Sequence, residues 1–252
     1  MNFKSFDEIL RKYLEKKEAE NEKEKDNDWW YASELGLCKR KHFLRRLGIP
    51  ASNIKEFRIK YIAEDGKAGH EWREKAAEEL GILLEKEGSL KDEELRYSGR
   101  FDLIAKIRNK PVLIDIKTQR PEAFFRRERQ PIGKKVKDFH KMQLASYVYF
   151  AKRKYPELEE SRVYYVDRGG GLRNEYIFHF RTPMFEKMLK ELQELNQCWE
   201  ARKLPNITDQ KWECKQCPYH TICMAAVRGD LTVDKIIEIY DSKKTKQGDQ
   251  LG

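Results

Sequence analysis

The chain has 252 residues, enough for one well-buried core, and 38% of them are charged. Its 52 Lys and Arg residues outnumber 43 Asp and Glu residues, and the net charge of +9 favours a polyanion such as nucleic acid as partner without fixing the fold. No segment has the roughly 18 to 20 consecutive apolar residues of a membrane span, and no secretory core follows the first charges, so we expect a cytoplasmic protein that does not associate with membranes.

Apolar residues at helical spacing predict a short amphipathic helix near the N-terminus, and the segment that follows it is almost entirely charged. We expect residues 1–28 to form this helix and a solvated extension. Residues 29–240 are expected to form a single domain, and residues 241–252 a disordered tail. The N-terminal segment shows no pattern typical of catalysis.

The first helix of the domain is predicted between Ser33, a suitable N-cap, and Gly48, a suitable stop. It carries Cys38, and a run of basic residues follows this cysteine. A single cysteine on a helix is most simply a core residue, and a basic run is most simply a solvated face. Both features gain meaning only from partners elsewhere in the chain.

Residues 54–80 predict a second helix or helix pair, in which Gly66 and Gly69 allow close packing or a break before His70. A single histidine in such a helix is usually structural. The apolar residues of its second half predict its buried side, which comprises Trp72, Ala76, Ala77 and Leu80. Short strands are expected next, at residues 82–84 and 95–97.

Residues 98–118 predict two strands joined by a turn, and the second strand ends in an Asp-Ile-Lys sequence. Strand side chains alternate, so Asp115 and Lys117 share one face while Ile116 faces the core. If the first strand brings Asp102 to the same end, two carboxylates meet beside one lysine. That arrangement suits a divalent metal and phosphodiester hydrolysis. The simpler alternative is a salt bridge at the strand end with Asp102 in solvent.

Residues 119–138 predict a long basic loop with paired aromatic residues, which suits phosphate contacts combined with base stacking. A mobile surface loop is the alternative. The cations that we expect to contact DNA are Arg126, Arg127, Lys134 and Lys135.

Residues 139–155 predict a helix on which Gln143 and Tyr147, four positions apart, share a face. The remaining predicted elements are two strands and two helices, at residues 162–166, 175–180, 184–203 and 231–240.

The second strong signal is the cluster of Cys214, Cys217 and Cys223. In a reducing compartment such clusters usually bind metal rather than form disulfides. Tetrahedral zinc and a cubane iron–sulfur cluster each require a fourth ligand. The candidates for this ligand are Cys38, Cys198 and His220.

Taken together, these motifs resemble the RecB-like branch of the PD-(D/E)xK nucleases, and more narrowly the CRISPR-associated Cas-four exonucleases, which carry a four-cysteine iron–sulfur site. The resemblance runs from about residue 33 to residue 223. Its pieces occur in the family's order, namely Cys38, His70, Gly99 with Asp102, Asp115-Ile116-Lys117, Gln143 with Tyr147, and the three C-terminal cysteines. Lys39 replaces the proline usual after the first cysteine, a change that does not affect ligation.

The resemblance implies an α/β fold with a restriction-endonuclease-like core, in which helices flank a mixed β-sheet. It implies catalysis by Asp102, Asp115 and Lys117. Mg2+ or Mn2+ would be held by His70, both carboxylates and the carbonyl of Ile116, and a nitrogen ligand would favour Mn2+. Gln143 and Tyr147 would line the active-site wall and hold the scissile strand.

The resemblance also implies a 4Fe-4S cluster on Cys38, Cys214, Cys217 and Cys223, so that N- and C-terminal segments together form the cluster-binding region. Zinc remains an alternative, because spacing alone does not separate the two metals. Cys198, which has no place in the motifs, is interpreted as helix packing.

The implied activity is metal-dependent exonucleolytic cleavage of single-stranded DNA ends, with 5′ to 3′ polarity, before spacer integration in CRISPR adaptation. CRISPR integrase proteins would then be partners. The alternatives are a viral or repair nuclease of the same family, and a DNA-binding adaptor for an integrase or helicase with incidental cleavage. The sequence does not indicate an oligomeric state.

Overall fold

The computed structural model describes residues 5–23, 27–49, 57–169 and 171–239. In chain order its elements are α1 (Phe6–Lys23), β1 (Trp30–Tyr31), a 3-10 helix (Ala32–Glu34), α2 (Lys39–Arg46), α3 (Phe57–Glu79), β2 (Leu83–Lys86), β3 (Ser89–Asp92), β4 (Tyr97–Arg100), β5 (Leu103–Ile107), β6 (Lys110–Gln119), α4 (Pro121–Glu128), α5 (Ile132–Lys135), α6 (Asp138–Ala151), β7 (Glu160–Asp167), β8 (Arg173–Phe178), α7 (Thr182–Glu200), α8 (Lys211–Lys215) and α9 (His220–Val227). Residues 233–239 are also helical.

The strands form two sheets, a small one in the order β1-β4-β3 and a five-stranded one in the order β2-β5-β6-β7-β8. In the larger sheet β6 and β7 are parallel, and the other neighbours are antiparallel. The parallel pair requires a crossover, and α6 lies in that connection. The predicted α/β fold with a mixed sheet flanked by helices is therefore confirmed.

The two faces of the larger sheet are covered by different helices. Side chains of β6 alternate, so Leu113 joins the main core with residues of α6 such as Leu144 and Val148. Ile116 points to the opposite face, into a smaller apolar cluster that also contains Val166. Helix α3 packs against β2 and β6. The end of β6 consequently lies between two helices that can both supply side chains to a site.

The predicted hairpin is present, but its first half is divided at Asp102. Arg108 and Asn109 form the turn with φ values of 49° and 60°, the left-handed conformation of a two-residue hairpin turn. Before Asp102 the chain belongs to β4 in the small sheet, and after it to β5, which pairs with β6. The carboxylate thus occupies the junction of the two sheets rather than the middle of a strand.

Three sequence predictions about helices are wrong. The basic segment after β6 is not a loop, because Pro121 begins α4, whose Phe124 is buried, and α5 follows. Helix α2 begins after Cys38, whereas Ser33 lies within the 3-10 helix. The predicted buried face of α3 is wrong in part, because Ala77 is buried but Trp72 and Leu80 are 59% and 74% exposed.

Helix α1 continues to Lys23, which is further than the amphipathic spacing predicted. The first four residues and residues 24–26 of the predicted N-terminal extension lie outside the described residues, as does the whole predicted tail at 241–252. Among the described residues, no helix combines the length and apolarity needed to cross a membrane.

Candidate active site and cysteine-lined cavity

The centre of the candidate site is a pair of carboxylates at the end of β6. Asp115 lies on this strand and is 1% exposed. Leu103 pairs with Ile114, so Asp102, the residue before Leu103, lies opposite Asp115 across the β5–β6 ladder. The backbone amide of Ile116 donates a 2.6 Å hydrogen bond to Oδ2 of Asp102. One strand therefore supplies the first carboxylate and fixes the second.

Lys117 lies beside Asp115, on the same face of the strand. Its Nζ is 2.9 Å from each carboxylate oxygen, but only Oδ1 accepts a hydrogen bond from it. Oδ2 of Asp115 is buried and has no hydrogen-bond partner. Burial, together with the charge of Asp102, raises the pKa of Asp115 to about 6 although Lys117 opposes this shift. The carboxylate pair is therefore short of positive charge and retains one unused acceptor.

Helix α3 brings His70 to the same carboxylates. Its Nδ1 lies 3.6 Å from Oδ1 of Asp102. Burial lowers the pKa of His70, but hydrogen bonding and charge from Asp102 outweigh burial, so the net pKa is raised. One helical turn further, the buried Glu74 has a pKa raised by burial and by the charges of Glu87 and Asp102. Sequence reasoning missed Glu74, although its spacing of four from His70 places both on one face.

Gln143 and Tyr147 of α6 form one buried wall of the site. Nε2 of Gln143 donates a 2.8 Å hydrogen bond to the Tyr147 hydroxyl, and the pKa of Tyr147 is raised by burial and by the Asp115 charge. Gly99 permits this approach, because a Cβ there would lie 3.0 Å from Cε1 of Tyr147 and 2.5 Å from the hydroxyl of Tyr97. A glycine three residues before Asp102 thus has a packing reason in this fold.

His140 and Tyr165 complete the surroundings of Lys117 and were also missed from the sequence. Tyr165 pairs with Lys117 across the parallel β6–β7 ladder, and its hydroxyl is 2.5 Å from Nδ1 of His140. Burial, reinforced by the charges of Lys117, Lys137 and Arg127, lowers the pKa of His140 to about 2. A neutral imidazole therefore lies near the lysine. Predicting that Tyr165 lies beside Lys117 requires knowing that β6 and β7 pair in parallel. The residue pattern of either strand alone does not reveal this pairing.

The four basic residues predicted to contact DNA differ in accessibility. Arg126 and Lys134 are exposed. Lys135 pairs with Glu128 at 2.9 Å. Arg127 is only 8% exposed, and its guanidinium lies 3.7 Å from the centre of the Tyr165 ring. Arg127 therefore packs against Tyr165 inside the protein and is not accessible to DNA. Arg126 and Lys134 face solvent.

The free Oδ2 of Asp115 indicates whether the residues of the site suit a divalent cation. Within the described ranges, no three His, Cys, Asp or Glu side chains are grouped closely enough to hold a metal ion. The closest elements of a ligand set are the free Oδ2 of Asp115 and the Asp102 carboxylate, with His70 behind it. Oxygen ligands of this kind suit Mg2+ or Mn2+. The donor chemistry fits, and Oδ2 is the oxygen of Asp115 that a cation would use.

Four of the five cysteines line a second cavity, between the start of α2 and the C-terminal helices. These residues are Cys38, Cys214, Cys217 and Cys223. Cys198 is not among them, and His220 lines the same cavity. Within the described residues, none of the five cysteines forms a disulfide. The structure therefore brings together the N-terminal cysteine and the C-terminal cluster, which are separated by 176 residues of chain at their nearest members.

Charged side chains surround this cavity. Nη1 of Arg40 lies 3.9 Å from the sulfur of Cys223, and the buried Glu213 accepts hydrogen bonds from the Cys38 amide at 3.0 and 3.1 Å. Burial raises the pKa values of Cys217 and Cys223, and the neighbouring thiols raise them further. The four thiols line one cavity beside an arginine, but within the described residues no three of them are grouped closely enough to hold a metal ion.

We expect the affinity of the protein for Mn2+ to fall as the pH decreases through about 6. Asp115 has a pKa of about 6 and His70 has a raised pKa, so protons would then compete with the metal for both groups. Calorimetric titration with Mn2+ across roughly pH 5 to pH 8 measures this dependence. The His70→Ala variant should bind more weakly and with a shallower pH dependence, and an affinity independent of pH would contradict the assignment.

Comparison with known proteins supplies independent information. Residues 4–224 match the family model described as the PD-(D/E)XK nuclease superfamily. No curated protein matches the sequence. Among solved structures, the crystal structure of SSO0001 is similar with a TM-score of 0.58 and 22% identity, covering 88% of this chain and 98% of the other. An alkaline exonuclease from Laribacter hongkongensis gives a TM-score of 0.48 and 11% identity, covering 69% and 89%.

The similarity to SSO0001 is at the level of the fold, and it extends over nearly all of both chains. The family match includes both carboxylates, the lysine and the four cavity cysteines, since it runs from residue 4 to residue 224. It covers most of the sequence, and the protein therefore belongs to the PD-(D/E)XK nuclease superfamily.

Proposed function

We propose that this nuclease is a divalent-metal-dependent DNA exonuclease that shortens single strands from their ends with 5′ to 3′ polarity. The observation that carries the proposal is the arrangement of Asp102, Asp115 and Lys117 at the end of β6. Lys117 pairs with Asp115 there, the Ile116 amide holds the Asp102 carboxylate, and Oδ2 of the buried Asp115 has no hydrogen-bond partner. A group of this composition suits hydrolysis of a phosphodiester.

Asp102 and Asp115 would hold Mg2+ or Mn2+, together with His70 and the carbonyl of Ile116. The bound cation would supply a water of lowered pKa and would offset charge on the phosphate. Lys117 orients the attacking water or donates to the phosphate, a role that its position beside Asp115 allows. Tyr147 and Gln143 form the adjoining wall and hold the scissile strand.

Single-stranded DNA is favoured by what surrounds the exposed cations of α4 and α5. Phe125 is 52% exposed between Arg126 and the buried Phe124. The exposed ring lines a cleft with Arg126 and Arg129, and this combines base stacking with phosphate contacts, which is how sequence-independent binding of single strands works. Arg127 and Lys135 would act less directly, through Tyr165 and Glu128.

We further propose that Cys38, Cys214, Cys217 and Cys223 hold a 4Fe-4S cluster, with zinc as the alternative. The shared cavity and the nearby Arg40 support thiolate ligation. Such a centre would join the first and last parts of the domain at residues 29–240. The order of the motifs along the chain supports a place in CRISPR adaptation, with integrase proteins as partners.

The test is a nuclease assay on end-labelled DNA. With Mn2+ or Mg2+ we expect linear single strands to be shortened progressively from the 5′ end, and EDTA to stop the reaction. Circular single strands should remain intact because they offer no end. Comparable cleavage of circles would indicate an endonuclease. Tight binding to single strands without any product in either metal would instead favour the DNA-binding adaptor.

A further inference from the structure

Trp72 is an exposed aromatic residue close to the candidate active site. Its spacing on α3 predicts burial, yet 59% of the residue is exposed. Single exposed apolar residues are common on protein surfaces and need no special explanation. This one differs because it borders a cavity, and because the helix that carries it also carries His70.

The cavity has a volume of ≈ 240 Å³. Its lining includes Gly69, Trp72, Arg73, Thr118, Asp167 and Arg168. Sites for drug-sized molecules span about 300–1,000 Å³, so this space suits a smaller unit such as one nucleobase. It lies where α3 meets the ends of β6 and β7.

Two of the lining residues are covalent neighbours of active-site residues. Gly69 precedes His70, and Thr118 follows Lys117. Consecutive Cα atoms are about 3.8 Å apart, so the cavity begins within one residue of the site on two separate elements. Because side chains alternate along β6, Thr118 faces α3 whereas Lys117 faces α6. The cavity therefore lies on the α3 side of β6, the side from which His70 reaches Asp102.

Arg73 holds the Trp72 ring on one side. Its guanidinium carbon lies 4.3 Å from the centre of the Trp72 ring and 5.8 Å from that of Tyr164. Nη1 of Arg73 donates to the carbonyl of Gly69, while its buried Nε has no hydrogen-bond partner. Stacking of this kind restrains the indole before any ligand arrives, which lowers the entropy that binding would lose.

On the opposite side, the cavity is lined by Asp167 and Arg168 at the turn that follows β7. Asp167 accepts hydrogen bonds from the amides of Gly169 at 3.2 Å and Leu172 at 2.6 Å, so its carboxylate shapes the connection after β7. Arg168, which follows Asp167 in the chain, is exposed and lines the cavity. An aromatic face, two arginines and room for one flat group match a nucleotide better than an apolar ligand.

We propose that this cavity binds the nucleobase adjacent to the scissile phosphate, with Trp72 stacked on the base and Arg168 contacting the neighbouring backbone. The inference rests on the proposed function, because it takes single-stranded DNA as the ligand. It adds a contact that the motifs do not contain and that fixes the position of the strand relative to Asp102 and Asp115.

The test is a set of single-stranded oligonucleotides, each with one abasic position, bound in EDTA so that the DNA stays intact. For the wild-type protein we expect one abasic position next to the cleaved bond to weaken binding about 5- to 100-fold, the range of base–aromatic stacking. Trp72→Ala should weaken binding to intact DNA by a similar factor. In that variant the same abasic position should produce no further loss.

Trp212→Ala is the matched control, since Trp212 is 48% exposed and lies on α8 rather than on α3. It should leave the abasic profile unchanged, and Trp72→Phe should retain most of the affinity. In cleavage assays Trp72→Ala should raise KM more than it lowers kcat. A wild-type profile that is uniform along the oligonucleotide would overturn the inference while leaving the nuclease intact. Absence of both DNA binding and cleavage would overturn the proposed function itself.

Discussion

Asp115→Asn should abolish metal-dependent cleavage, lowering the rate by roughly 10³-fold or more, while the protein remains folded. The substitution removes one of two carboxylates that would hold the cation, and that cation contributes several kcal/mol of charge stabilisation in the transition state. The side chain is 1% exposed and close to isosteric with asparagine, so packing is retained. Cleavage of labelled single strands in Mn2+, compared with the wild type, measures the loss.

The same substitution should raise the stability of the metal-free protein near neutral pH. Asp115 has a folded pKa of about 6, above the usual value of 3.8, so its ionisation in the fold is unfavourable. The contribution of this group to stability is fully present below pH 3.8, declines as the pH rises from there to about 6, and is lost above that pH. The difference in unfolding free energy from the variant should approach roughly 3 kcal/mol at neutral pH and shrink towards pH 4.

Asp234→Asn is the matched control for this pair of effects. Asp234 also pairs with a cation, Arg202, but both side chains are largely exposed. Loss of an exposed ion pair changes stability by less than about 1 kcal/mol and should leave cleavage untouched. Mn2+ should raise the melting temperature of the wild type and of Asp234→Asn, but not of Asp115→Asn. Undiminished Mn2+-dependent cleavage by Asp115→Asn would refute the assignment of the active site.

The sequence contained the local part of the site and lacked the part that depends on packing. Asp115 and Lys117 share a face because of strand alternation, which is a property of any strand. Asp102 was expected in the same place, and the junction of two sheets puts it there. His140 and Glu74 were not identified, since their proximity to Lys117 and Asp102 depends on how α6 and α3 cross the sheet.

Two failures have the same physical origin. Helical spacing identified an apolar stripe on α3, but it does not show how much of that stripe the sheet covers. Trp72 lies outside the covered part and is exposed. The basic character of residues 119–138 suggested solvent, yet the flat guanidinium of Arg127 packs against Tyr165. Counting charges predicts where cations are numerous, but it does not predict which of them the fold encloses.

Cys217→Ser should remove the metal from the cysteine-lined cavity and destabilise the protein. If the four cavity cysteines hold a 4Fe-4S cluster, the purified wild type should contain about four iron atoms per chain and absorb visible light, and the variant should show neither. Cys217 is 8% exposed, and burial raises its pKa, so cluster binding also requires the thiol to lose its proton. Iron analysis and a visible spectrum measure the outcome.

The size of the destabilisation follows from the loop that the centre closes. Cys38 and Cys214 are 176 residues apart, and constraining loops of about 100 residues stabilises a protein by about 4.7 kcal/mol in the chain-entropy model. For a chain of this length, a loss of about 4 to 5 kcal/mol corresponds to a melting temperature lower by roughly 10 °C. Cys198→Ser is the matched control, because Cys198 lies on α7 outside the cavity and should change neither iron content nor melting temperature appreciably.

The outcomes separate the cluster from the catalytic centre. Asp115→Asn should keep its iron and its visible spectrum although it does not cleave DNA, whereas Cys217→Ser should lose iron and stability together. A colourless wild type with one zinc per chain would replace the iron–sulfur cluster by a tetrahedral zinc site on the same four cysteines. A wild type without either metal, equal in stability to Cys217→Ser, would mean that the cavity binds no metal and that Arg40 and Glu213 hold the two ends of the domain together without it.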